Sequence, residues 1–291
     1  MIRPAKTVAA IHDLSGVGRC ALTVVLPVLS AMGAQACPVP TAVLSAHTAF
    51  SGIAVHDLTD FLPAYLAHWQ ALGLRFDAVY AGYLASPRQA EIVADFLDAQ
   101  ARALKVLDPV MGDDGALYSG MPSSMPEKWR ALCARADVVT PNMTEYALLT
   151  GEDYSLAPRT AAQAARMLDA LLDMGAQSAV ITSVPLKTGP ANIYMRKGDK
   201  EAGVCPFERL DAHYPGTGDL FASVLTGALL QGDGLEGAVL AATAFTRRAV
   251  ARTMLLPTPV NYGVDLEPLL PLLWDNGDMK RANCDCAKPE T

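Results

Sequence analysis

No Gly-Lys-Ser or Gly-Lys-Thr occurs in this sequence, which excludes the phosphate loop of the P-loop nucleotidases. G-x-S-x-G and H-E-x-x-H are absent too, so the commonest serine-hydrolase and zinc-protease readings fall away. No uninterrupted run of 18 apolar residues is present, and no membrane-spanning helix is expected. The short apolar stretch before His12 is too brief for a secretory leader and reads as a first strand, so a cytoplasmic protein is expected. Positive charge is in deficit: 23 Lys and Arg stand against 30 Asp and Glu, a net charge of −7, with no basic run. Nucleic-acid phosphates would be repelled, so no nucleic-acid partner is expected. A smaller phosphate ligand stays open, because N–H groups at a helix N-terminus bind anions without lysine. The six cysteines lack zinc spacing and read as free thiols; Cys284-x-Cys286 is a weak candidate for metal.

What is present is apolar sequence in quantity. With 51% hydrophobic residues in 291, the chain can bury a large core, and disorder is excluded. No repeat or linker divides it, so a single domain over residues 1–274 is expected, with a polar tail at 275–291. Short β-branched runs at 8–11, 38–44, 78–82, 105–108, 137–140 and 178–181 alternate with helical patterns. After Pro158, residues Ala164, Met167, Leu168, Leu171 and Leu172 form a helical stripe. A second stripe, from Gly218, holds Phe221, Val224, Leu225, Ala228 and Leu229. Residues 190–207 suggest an antiparallel hairpin around Arg196-Lys197-Gly198-Asp199. The alternation predicts an α/β fold, a doubly wound, mostly parallel central sheet with helices on both faces. Ligands of such sheets bind beyond the carboxyl ends of the strands, which directs attention to the loops there.

Four loops carry candidate chemistry. The first, Asp13-Leu14-Ser15-Gly16-Val17-Gly18-Arg19-Cys20-Ala21, fits the G-x-G-x-x-A dinucleotide pattern. That pattern needs an acidic residue about 20 positions on, and none occurs between Asp13 and Asp57. The loop is then either a plain capped turn or a close backbone approach to a ligand edged by Asp13 and Ser15. In the second, Asp108, Asp113 and Asp114 lie within one short stretch, as a solvated acidic turn or as carboxylates around Mg²⁺. The third, Thr140-Pro141-Asn142-Met143-Thr144-Glu145, places Asn142 and Glu145 one helical turn apart, either facing one ligand or simply starting a helix. The fourth is Tyr214-Pro215-Gly216-Thr217-Gly218-Asp219 before the second stripe. Two glycines around Thr217 permit a tight turn whose N–H groups converge on an anion, and Asp219 beside them suits a proton acceptor. The bland alternative is an ordinary helix cap. Acidic loops plus a glycine nest point together to phosphoryl transfer.

These four blocks, in this order, resemble a known family. Asp108-Pro-Val-Met-Gly-Asp113, Thr140-Pro-Asn-x-x-Glu145, Ile181-Thr-Ser183 and Gly216-Thr-Gly-Asp219-Leu-Phe are similar to those of pyridoxal kinases in the ribokinase-like superfamily. The resemblance spans about residues 6–250. It implies ATP-dependent phosphorylation of the 5′-hydroxymethyl group of a vitamin B6 vitamer, with Mg²⁺, and a homodimer. By position it makes Asp219 the catalytic base and Gly216, Thr217 and Gly218 the anion hole. Asp108, Asn142, Glu145, Thr182 and Ser183 would face the nucleotide, with Asp108, Asp113 and Glu145 nearest the metal. His47, Thr48 and Tyr83 would meet the vitamer with Asp13 and Ser15. Asp13 stands where the family usually has serine, and its charge favours the cationic amine of pyridoxamine.

A hydroxymethylpyrimidine kinase is the nearest rival on the same fold. Many of those enzymes resemble this chain with Cys at the Asp219 position, so Asp219 favours the B6 substrate. A sugar kinase would call for a more polar pocket than His47, Thr48 and Tyr83 supply. A non-catalytic B6-binding protein is the alternative of another class, and the intact Asp219 argues against it.

Overall fold

Val8, Ala9, Ala10 and Ile11 have no exposed surface at all, the mark of a strand covered on both faces. The computed structural model, which describes residues 4–274, puts them at the centre of β1 (Lys6–Ser15). The chain continues through α1 (Leu22–Ala31), β2 (Ala34–Leu44), β3 (Val55–Asp57), α2 (Leu62–Ala71), β4 (Ala78–Ala81), α3 (Pro87–Ala99) and β5 (Leu104–Leu107). A small hairpin, β6 (Gly112–Asp113) and β7 (Ala116–Leu117), precedes α4 (Met125–Cys133), β8 (Val138–Val139), α5 (Met143–Thr150) and α6 (Ala161–Asp173). Then come β9 (Ser178–Leu186), β10 (Gly189–Arg196), β11 (Gly203–Pro206), α7 (Thr217–Leu230), α8 (Leu235–Thr253) and the short α9 (Pro271–Trp274).

The main sheet has the order β11-β10-β9-β8-β5-β4-β1-β2-β3. Its six inner strands are parallel, while β3 and the β10–β11 arm are antiparallel edges. This is the expected doubly wound α/β sheet. Side chains alternate between two cores. Ala9, Ile11 and Val79 face α2 to α6, whereas Val8, Ala10 and Tyr80 face α1, α7 and α8. From β1 the chain goes first to β2 on one side and later to β4 on the other. The crevice between β1 and β4 is therefore the switch point where a ligand is expected.

Several expectations are met and some corrected. All five stripe residues of α6 are buried; in α7, Leu229 is only partly so. The antiparallel hairpin stands as β10 and β11. The run at 178–181 extends to Leu186, so Thr182 and Ser183 lie inside β9 and not in a loop beyond it. The acidic loop also folds further than expected. Asp114 and Gly115 both have positive φ (50° and 81°), as a two-residue hairpin turn of the Asp-Gly kind requires. Cys284, Cys286 and the tail at 275–291 lie outside the described residues.

Candidate active site

Strand ends build the site. β1 pairs regularly with β2 up to His12 and shifts register before Leu14, which sets Asp13 at an irregularity beside the switch point. The Asp13 carboxylate is 7% exposed and accepts a 2.9 Å hydrogen bond from Ser15 Oγ. Ser15 itself is fully buried and lines no part of the cleft. It props Asp13 from behind. Burial raises the Asp13 pKa, against the opposing pull of Ser15.

α7 begins at Thr217, with Gly216 left-handed (φ 78°) at its N-cap. A Cβ on Gly216 would stand 2.0 Å from the Arg19 carbonyl oxygen, so backbone and packing both demand glycine there. Gly218 differs from expectation. It has helical geometry, and a Cβ there would meet nothing within 4 Å. Its bareness leaves space before the helix N-terminus, where the first-turn N–H groups have no partner within the helix.

Asp219 follows, its side chain 13% exposed. One carboxylate oxygen accepts from the backbone N–H of Ala21 at 2.8 Å. Ala21 takes an uncommon positive φ (48°) at the N-cap of α1, and that conformation aims its N–H at Asp219. Burial raises the Asp219 pKa to about 7, with Ala21 opposing and the Asp13 charge adding to the rise.

Beyond β5, Asp108 is buried with Thr140 Oγ1 donating to it at 3.1 Å. Burial first, and the Asp219 charge second, lift its pKa to about 8. Asn142 and Glu145 form a capping box on α5: Glu145 N–H donates to Asn142 Oδ1, and Asn142 N–H to Glu145 Oε2. Glu145 also accepts from Met111 N–H at 3.3 Å. The helix-starting role held open for this pair is thus realised, and both residues still line the cleft. The Glu145 pKa rises through burial and the nearby Asp108.

Asp13, Asp219, Asp108 and Glu145 border a single cleft of about 1170 Å³. Its lining includes no lysine, and its two arginines are Arg209, after β11, and Arg247, on α8. Buried carboxylates that push one another's pKa upward suit a bound cation. Among the described residues no three His, Cys, Asp or Glu side chains gather as a complete ligand set. A site using one or two carboxylates plus phosphate oxygens and waters fits Mg²⁺ chemistry. Asp113 stands further out on β6, 37% exposed and 3.4 Å from His213.

Thr182 and Ser183 reach the cleft through a kink in β9. Ser183 has φ 56°, and its N–H donates to Asn192 Oδ1 at 2.9 Å. Asn192 also donates to Thr243 Oγ1 on α8 at 2.8 Å. At the opposite end lie His47, Thr48 and Tyr83. His47 is more braced than free: Ala49 N–H donates to its Nδ1, so its Nε2 carries the proton donated to the Asn261 carbonyl (2.7 Å). Its ring also contacts Phe50, which in turn meets Tyr262. Sequence reasoning missed the roles of Ala21, Asn192 and Thr243. Only Asn192 had a signal, as a buried polar residue in an apolar strand.

A family model described as phosphomethylpyrimidine kinase matches residues 26–261. A pyridoxine/pyridoxal/pyridoxamine kinase of Bordetella avium is 32% identical over 250 residues, 82% of each chain. The chain belongs to this family of pyridoxal and phosphomethylpyrimidine kinases. A crystal structure from Bacteroides thetaiotaomicron, described as a phosphomethylpyrimidine kinase and containing pyridoxal, is similar at 44% identity. Its TM-score is 0.86, with 92% of this chain and 96% of that one covered. The pyridoxal kinase of Leishmania donovani in complex with ADP and pyridoxamine is 25% identical, with a TM-score of 0.80 over 92% and 95% of the chains. The kinase family and the ribokinase-like fold expected from the four blocks are therefore those of this chain.

Proposed function

We propose that this family member is an ATP-dependent kinase of vitamin B6 vitamers, transferring the γ-phosphoryl group to the 5′-hydroxymethyl oxygen. The observation that carries the reading is Asp219, a nearly buried carboxylate at the open N-terminus of α7, in the middle of one continuous cleft. Relatives named for pyridoxal phosphorylation, and similar structures holding pyridoxal, pyridoxamine and ADP, support the two ligands. Sheet order supports their arrangement. The vitamer lies by β1, β2 and β4, near Asp13, Thr48 and Tyr83; the nucleotide lies by β8, β9 and β10, near Asn142, Thr182 and Ser183.

The Asp219 carboxylate accepts the hydroxyl proton as the oxygen–phosphorus bond forms and the bond from phosphorus to the ADP oxygen breaks. The N–H groups of Gly216, Thr217 and Gly218 stabilise the charge on the transferring phosphoryl group. Ala21 N–H holds the carboxylate in place. Asp108 and Glu145, with Asp113 further out, are the residues to hold Mg²⁺, which when bound neutralises phosphate charge. Asp13 sets a negative charge at the vitamer end, which favours a cationic vitamer. A homodimer and a cytoplasmic location are part of the same proposal; among the described residues no helix is long and apolar enough to cross a membrane.

The match to the phosphomethylpyrimidine kinase model favours one second reading, hydroxymethylpyrimidine as the acceptor. ADP release measured with pyridoxal, pyridoxine, pyridoxamine and hydroxymethylpyrimidine separates the two. The expected result is the highest kcat/KM on a B6 vitamer. A higher value on hydroxymethylpyrimidine, or vitamer binding without turnover, would overturn the proposal.

A further inference from the structure

Behind Asp219 lies a group of polar side chains that the proposed reaction does not use. His12 has no exposed surface, and neither ring nitrogen has a hydrogen-bond partner within the protein. The Tyr80 hydroxyl and Ser223 Oγ are equally buried, and they lie near each other without reaching hydrogen-bond geometry. Buried polar atoms without partners are rare enough to need a cause.

The fold explains why they meet. Ala10 pairs with Tyr80 across β1 and β4, and His12, two residues on, points to the same face of the sheet. The imidazole packs edge-on against Tyr80, with ring centroids 4.4 Å apart. On its other side lies Gly82, where a Cβ would come within 2.3 Å of the ring. α7 covers this face, and Ser223 follows Asp219 by four residues, one turn along the same side of that helix. The arrangement brings His12 Nδ1 to 4.0 Å from Asp219 Oδ1.

Desolvation keeps the ring neutral, holding the His12 pKa down at about 3, so the two groups do not form an ion pair. An ionised carboxylate can only accept, so a hydrogen bond from His12 to Asp219 requires the proton on Nδ1.

We propose that His12 is a positioning residue for Asp219: its Nδ1–H, held between Tyr80 and Gly82, closes on Oδ1 and fixes the carboxylate in the orientation that receives the substrate proton. Ala21 N–H holds Oδ2, and His12, 4.0 Å from Oδ1, supplies the second restraint when it closes. This proposal rests on the assignment of Asp219 as the base.

The test compares His12→Asn, His12→Gln and His12→Phe by steady-state kinetics and thermal melting. The amide nitrogen of asparagine takes the place of Nδ1, and that of glutamine the place of Nε2. His12→Phe is expected to lower kcat about tenfold or more, the worth of one hydrogen bond to a charged group, with both KM values within about twofold. His12→Asn is expected to keep kcat within a few-fold of wild type, and His12→Gln to fall with His12→Phe. Should His12→Phe fail to fold, the contrast between asparagine and glutamine decides alone. Equal loss in those two variants, or an unchanged kcat in His12→Phe, would overturn the proposal. Asp219→Asn runs alongside: if it keeps full turnover, the base assignment fails, whereas its inactivity beside an active His12→Phe refutes the role of His12 only.

Discussion

Gly216 and Gly218 are the same residue type doing different work two positions apart. At Gly216 a side chain meets the Arg19 carbonyl and the backbone is left-handed. Gly216→Ala should therefore cost at least ~1–2 kcal/mol from the backbone alone, before the clash is added. Thermal melting should show a drop of several degrees. Gly218→Ala meets open space in a helix, where alanine is favoured by roughly 0.5–1 kcal/mol. Its melting point should hold or rise while kcat falls, because the methyl group occupies the approach to the N–H groups. Equal melting points for the two variants would contradict this division. From sequence the two glycines were indistinguishable, since neither φ nor the nearness of Arg19, some 200 residues away in the chain, is written locally. Ser15 was legible as a polar group at the edge of the glycine turn, and His47 through the family resemblance. Their supporting roles were not, because Ser15 acts through Asp13 and His47 through Asn261.

Among the elements, α6 shows what periodicity can deliver. Its five stripe residues are all buried, because an amphipathic helix on a sheet has only one face to bury. The acidic loop after β5 shows the opposite. Asp114-Gly115 is a hairpin signal, but its carboxylate competes for attention with Asp108, and the two-residue arms β6 and β7 are too short for a strand pattern. Sequence alone delimits only four residues of β9, because Thr182, Ser183 and Pro185 interrupt its apolar run. The strand persists because Asn192 takes up the Ser183 N–H where the ladder is disturbed. That contact yields a prediction. Asn192→Ala removes the acceptor of the Ser183 N–H and lets Ser183 leave its left-handed conformation. KM for ATP should rise several-fold while KM for the vitamer stays within about twofold, as steady-state titration of each substrate would show. Parallel changes in both constants would mean that the kink does not serve the nucleotide.

At the scale of the whole molecule, the doubly wound sheet gathers acidic side chains from β1, the end of β5, α5 and α7 into one cleft. The charge imbalance of the sequence announces an acidic protein, but not that four carboxylates converge, since they come from segments up to 206 residues apart in the chain (Asp13 to Asp219). Their convergence has a measurable consequence. Asp219 and Asp108 have folded-state pKa values raised from 3.8 to about 7 and about 8, so the folded chain binds more protons than the unfolded one across that interval. Stability from these groups is fully present below about pH 4 and is lost as pH rises through 7 and 8. The ligand-free protein should melt at a lower temperature at pH 9 than at pH 6. Asp108→Asn should flatten the dependence, and Mg²⁺ with nucleotide should reduce it. A melting point that rises with pH over this range would contradict the electrostatic picture.

The most direct measurement of the central claim is kcat for Asp219→Asn on the preferred vitamer with ATP and Mg²⁺. Asparagine keeps the size of the side chain and leaves an oxygen to accept from Ala21 N–H. It cannot take up a proton. A positioned base contributes about 10²–10⁴-fold, so kcat is predicted to fall at least ~100-fold, with vitamer affinity and melting temperature near wild type. Retained turnover, or activity lost only together with the fold, would contradict the account.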